Sequence, residues 1–134
     1  MPYYVYVIEL DKEKFVPNAK FRKQNPLIWN GSNTEIADNV RFLYVGQSCH
    51  EPDCRFQIHK QCHGKNINYQ CKCSCGPMVV NKNQSNNFVR QHGKWLRRKM
   101  YEKFNPIETR NEAVEMEDKL ADMLRNKGLA VYSK

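Results

Sequence analysis

TRNEAVEMEDKLADMLRNKG, residues 109–128, reads as one amphipathic helix with a carboxylate where a core residue belongs. At roughly 100° per residue, Ala113, Glu117, Leu120, Ala121 and Leu124 share one side. Thr109 and Glu112 form a capping box, and Gly128 is placed to end the helix in the left-handed region. Glu117 therefore points inward, among alanines and leucines. An ionised carboxylate there is costly unless it is paired or binds a metal. The fold and the function both turn on what this glutamate meets.

Working outward, residues 3–10 (YYVYVIEL) are dense in β-branched and aromatic residues and give way to the polar DKEK, a strand signal. Tyr4, Tyr6 and Ile8 occupy one face and Tyr3, Val5 and Val7 the other, so the spacing predicts a central strand covered on both sides. Residues 41–47 (RFLYVGQ) are the second strand signal, and Gly46 marks a sharp exit or a close backbone approach. Ser48, Glu51, Pro52 and Asp53 suit a helix start. The helix is expected over 52–63, with Arg55 and His59 as neighbours on one face and Phe56 on the adjoining side. Residues 11–40, with Pro17, Pro26 and NGSN, read as an irregular excursion in which AKFRK makes a turn of helix.

Residues 62–84 carry CKCSCGP and an asparagine-rich run and read as a loop. Ser85 suits the cap of a short helix that Gly93 stops, and residues 129–132 form a short last strand. The pattern of residues 95–104 fits a strand or a helix.

The chain has 134 residues, enough for one domain with a modest core. Its 22 Lys and Arg against 14 Asp and Glu give a formal charge of +8, which favours a polyanionic partner, nucleic acid first. Lys94, Arg97, Arg98 and Lys99 concentrate that charge and are the candidate phosphate contacts, set against an ordinary solvated face. Trp29 and Trp95 are read as packing residues before base-stacking ones. MPYYVYVIEL has neither a basic n-region nor a small-residue cleavage site, and no apolar run approaches membrane-spanning length. A cytoplasmic protein without membrane association is the expectation. There, six cysteines favour metal ligands or thiols over disulfides. Cys62, Cys71, Cys73 and Cys75 are candidate ligands of a structural zinc, with Cys49, His50, Cys54 and His63 as further candidates.

Two strands carrying tyrosines, a helix carrying Arg and His, and an acidic residue on a later helix resemble the GIY-YIG nuclease superfamily, in particular small stand-alone bacterial domains. The first signature is Tyr4-Val5-Tyr6 and the second Tyr44-Val45-Gly46; Arg55, His59 and Glu117 follow in order. Tyr4 replaces the first signature's glycine, and the spacer of residues 7–43 exceeds the family's short hairpin.

The resemblance implies an α/β (α+β) domain spanning residues 1–134. Its sheet would be small, three-stranded and mostly antiparallel, flanked by helices, with the third strand inside 95–104. It further implies a metal-dependent endonuclease acting on duplex or branched DNA. Glu117 would hold Mg²⁺ or Mn²⁺, Arg55 would bind phosphate oxygens, and Tyr6 or Tyr44 would orient or deprotonate water, with His59 as partner or co-base. The competing readings are a zinc-stabilised nucleic-acid-binding module with a vestigial site, and a thiol redox protein.

Overall fold

A computed structural model describes residues 2–13, 18–29, 40–61, 66–70, 77–80 and 87–133. In chain order the elements are β1 (Tyr4–Leu10), α1 (Ala19–Gln24), β2 (Phe42–Ser48), α2 (Pro52–Gln61), β3 (Ile67–Gln70), β4 (Pro77–Val80), α3 (Asn87–His92), β5 (Gly93–Leu96), α4 (Arg110–Asn126) and β6 (Ala130–Tyr132). Two 3-10 turns, Arg98–Met100 and Glu102–Phe104, lie between β5 and α4. The class is α+β, as the alternation of element signals implies.

The sheet has four strands in the order β5-β1-β2-β6, one more than expected. β1 is antiparallel to β2 and to β5, whereas β6 runs parallel to β2. Parallel pairing needs a crossover between the strands, and α4, which packs across β2, β6 and β1, is the element that delivers the chain to β6. β1 is central, and Val5 through Leu10 are buried on both faces. α4 buries Ala113, Glu117, Leu120, Ala121 and Leu124, the face its periodicity defines. Each buried leucine contributes about 1.5–3 kcal/mol. Thr109 Oγ1 accepts from Glu112 N at 3.2 Å, and Gly128 takes φ +86°, so both ends form where the capping residues stand.

Two expectations change. Within the segment read as a loop, β3 and β4 form an antiparallel ladder with Ile67 opposite Val80 and Gln70 opposite Pro77. Both strands are four residues long, too short for alternation to stand out among the surrounding cysteines and asparagines. The expected third strand starts earlier, at Gly93, and ends at Leu96, where 3-10 turns take over. The edge of β1 beyond that point is satisfied by other means. Arg97 N donates to Val7 O (2.8 Å), and the Asn105 side chain both accepts from Val5 N (2.9 Å) and donates to Val5 O (2.8 Å). Tyr3 and Ile107 then exchange backbone bonds of 2.7 and 2.8 Å. One side-chain amide thus replaces a turn of ladder.

The opposite edge uses the same device. Asn25, only 1% exposed, donates from Nδ2 to Val131 O (2.9 Å) and accepts at Oδ1 from Val131 N (2.7 Å), while Gln24 pairs likewise with Ser133. α1 therefore closes the β6 edge that would otherwise remain open to pairing. Phe21 and Trp29 pack with Phe42 at the same end, so Trp29 is a core residue.

Replacing Asn25 with Ala strands both backbone groups of Val131, and we expect a loss of about 2–3 kcal/mol in urea unfolding. Tyr101 is buried, and its hydroxyl has no partner among the described residues. Burial foremost pushes its pKa up to about 12, with Arg98 opposing and Asp53 and Glu102 adding to it. The folded state then holds this proton longer than the unfolded chain, so the associated stability is complete below pH 10 and is lost as pH rises towards 12. Tyr101→Phe removes both penalties. It should raise neutral-pH stability by about 1 kcal/mol and weaken the alkaline loss, as read from urea midpoints across pH 7–11.

Candidate functional site

Register places the first two residues. Tyr6 on β1 stands opposite Gly46 on β2, and Tyr44 stands opposite Ile8, so both tyrosines project from one face. The Tyr6 ring lies across β2 directly over Gly46. A Cβ at Gly46 would come 2.5 Å from Tyr6 Oη and 3.1 Å from Tyr44 Cε1. The glycine's close backbone approach is therefore to the site's own phenol.

α2 supplies the next two. Ser48 Oγ accepts from His50 N at 3.0 Å, Pro52 opens the helix, and Arg55 N bonds Glu51 O at 3.0 Å in its first turn. One turn on, His59 is buried and its Nε2 lies 3.1 Å from Tyr6 Oη. The three rings form a cluster, with centroids 6.3 Å apart for Tyr6–Tyr44 and Tyr6–His59 and 6.4 Å for Tyr44–His59. Lys60 secures α2 from its other side by donating to Arg90 O (3.1 Å) and Gly93 O (2.5 Å). That fixes the helix against α3 and β5.

The Tyr6 phenol is the centre of the electrostatics. Burial pushes its pKa up and is the largest influence; the Arg55 charge and hydrogen bond pull it down, Glu117 pushes it up, and a hydrogen bond from Tyr44 pulls it down. Four of the expected residues, from β2, α2 and α4, thus act on the fifth: His59 through its hydrogen bond, Arg55, Glu117 and Tyr44 through charge or hydrogen bonding. The direction of the Tyr6–His59 hydrogen bond follows the imidazole tautomer. Tyr6 rests as a neutral phenol.

Arg55 alone of the five is half-buried; the others are buried. Its Nε is enclosed without a hydrogen-bond partner among the described residues, a donor that an anionic oxygen would satisfy. His50, on the loop before α2, has its pKa lowered by burial and then by Arg55. Glu117 is 9% exposed in an otherwise apolar helix face, a hard oxygen donor whose charge already acts on the phenol. That is the donor set a magnesium-type cation takes, with few carboxylates and a shell completed by water.

The basic residues separate. Arg97 Nη1 is 2.7 Å from Glu9 Oε1, and Glu9 is buried beneath it. Arg98 makes a two-pronged contact with Asp53, at 3.2 and 2.5 Å. Lys94 and Lys99 are exposed, and the Lys94 ammonium lies 4.7 Å from the centroid of the Trp95 ring. Cys62, Cys71, Cys73, Cys75 and His63 lie outside the described residues. Cys49 is half-buried and Cys54 buried, and neither is in a disulfide. Among the described residues no group of three His, Cys, Asp or Glu is arranged to hold a metal. Nor is any described helix long and apolar enough to cross a membrane.

No family model, no curated protein and no solved structure matches the chain. Sequence reasoning did not single out Glu9 or Asn105. Glu9 was legible as an acid inside a central strand, a position that demands a cationic partner; Asn105 carries no such signal.

Gly46→Ala adds a methyl where the Tyr6 ring sits. We expect a stability loss of about 1–3 kcal/mol and a displaced phenol, seen as a changed His59 imidazole resonance by NMR.

Proposed function

We propose that the chain is a metal-dependent endonuclease of GIY-YIG type that hydrolyses phosphodiester bonds in DNA. The observation that carries this reading is the meeting of Tyr6, Tyr44, Arg55, His59 and Glu117 around one phenol, from positions spread across the chain. A packing role for two strand tyrosines does not call for a buried carboxylate, an imidazole and a guanidinium beside them.

The roles follow from the contacts. Arg55, half-buried with an unsatisfied donor, binds non-bridging phosphate oxygens and stabilises the charge that builds on them. Tyr6 acts as a relay: as Arg55 turns to the substrate phosphate, the lone pair it leaves on the phenol oxygen takes a proton from the attacking water while the phenol's own proton passes to His59 Nε2. The raised pKa makes a resting phenolate unfavourable, so the relay needs His59 as final acceptor. Tyr44 steadies the phenol oxygen by hydrogen bonding. Glu117 is the residue to hold Mg²⁺ or Mn²⁺, whose chemistry when bound is to neutralise the scissile phosphate and the departing oxygen.

Purified protein with supercoiled plasmid and Mg²⁺ or Mn²⁺ is the decisive assay. Nicked and linear products are expected, and Tyr6→Phe should slow their appearance by about 10²–10⁴-fold. Arg55→Ala should cost about 10²–10³-fold, and Glu117→Ala should leave the plasmid intact. Cleavage at the parental rate by Glu117→Ala would sink the assignment. Binding without cleavage under every metal would instead favour a zinc-stabilised binding module with a vestigial site.

A further inference from the structure

On the side of α2 away from the phenol cluster lies a groove of about 860 Å³, walled by α2, β3 and β5. Its volume suits a drug-sized molecule such as a nucleotide, since pockets for such ligands span about 300–1,000 Å³. Trp95 stands in its wall on the edge strand β5 and keeps 46% of its surface exposed. Lys94 sits over that ring, and Arg98 lies at the lining in its ion pair with Asp53. Gln57 from α2 and Asn68 from β3 contribute side-chain amides, each offering donors and an acceptor. A large aromatic surface, side-chain amides and cations make a stacking platform for a base, with groups to meet its edge and its phosphate.

Charge distinguishes this groove from the neighbouring hollow near the start of α2. That smaller hollow, about 190 Å³, is lined by Glu51, Asp53 and Glu102 against the single cation Arg98. In the groove Arg98 and Asp53 answer each other, which leaves the charge of Lys94. A polyanion is repelled by the first and accepted by the second. The groove also shares α2 with Arg55 and His59, so one helix borders both the groove and the phenol cluster.

We propose that this groove binds an unpaired nucleotide of the nucleic-acid substrate, with its base stacked on Trp95 and its phosphate beside Lys94. The proposal rests on the nuclease reading and extends it, because it directs the enzyme to DNA that exposes an unpaired base, such as a branch, a flap or a gap, in preference to continuous duplex.

The test separates binding from cleavage. Full-length Glu117→Ala protein is titrated without divalent metal, at about 50 mM salt to preserve phosphate contacts, with labelled twelve-nucleotide oligothymidine and with a labelled duplex of equal length. Oligothymidine should quench tryptophan emission, since Trp29 is buried and Trp95 is the exposed reporter. Fluorescence anisotropy should show Trp95→Ala weakening oligothymidine binding about tenfold, with duplex binding changed less than twofold. Trp95→Phe, which keeps a stacking ring, should stay within about threefold of the parent. Circular dichroism checks that each variant is folded. Equal oligothymidine affinity for parent and Trp95→Ala overturns the proposal, as does the absence of any binding by the parent or a loss that falls equally on the duplex. Failure of the nuclease reading appears elsewhere, as plasmid left uncut by protein with Glu117 intact.

Discussion

The antiparallel register that sets Tyr6 opposite Gly46 is the constraint on which the site depends. It lays a tyrosine ring flat across the neighbouring strand, where a Cβ would fall 2.5 Å from the hydroxyl. Shifting the pairing by one residue would send Tyr6 to the other face and bring Gln47 or Val45 opposite it. With the ring held there, its hydroxyl lies 3.1 Å from His59 Nε2, and Arg55 and Tyr44 act on it as well. Burial and the Glu117 charge oppose ionisation, and Arg55 favours it. The balance keeps the phenol neutral.

Holding that register requires a sheet whose edges do not slip. The β6 edge and the stretch of β1 that β5 leaves uncovered are secured by side-chain amides. Asn105 occupies the hydrogen-bonding positions of a strand residue beside Val5, one residue from Tyr6. Asn25 does the same beside Val131 on β6. An amide offers a donor and an acceptor in one plane, the complement of a strand's N–H and C=O, and so closes an edge without another strand. Glu9 extends the same logic to charge: a carboxylate in the middle of β1 is tolerable because Arg97, and Arg41 at 3.5 Å, meet it. Arg41, Arg97 and Arg98 thus answer carboxylates of the chain itself. The net positive charge overstates what is left for a partner.

α2 joins the phenol cluster to the groove. Its inner side carries Arg55 and His59 to the phenol, while Gln57 and Phe56 line the groove that Trp95 and Lys94 bound on the far wall. Lys60 anchors the helix to the carbonyls of Arg90 and Gly93 at the end of α3 and the start of β5.

The sequence by itself determined the local and periodic features. These include the buried face of α4 with Glu117 on it, the caps at Thr109 and Gly128, the central position of β1, and a sharp exit or close backbone approach at Gly46. Each rests on period, capping chemistry or glycine's missing side chain, which act within one element. The candidate site was legible as an ordered set of residue types. Only the tertiary structure decided that those residues meet at Tyr6, because pKa, pairing and enclosure depend on neighbours distant in the chain. It also decided the fourth strand and its parallel direction, the β3–β4 ladder, and the roles of Asn25 and Asn105. A three- or four-residue strand is too short to show alternation, and an asparagine looks the same in sequence whether it faces water or completes a sheet. Glu117 shows both halves: helical period turned it inward, and packing of α4 across the sheet brought its charge to bear on the Tyr6 phenol.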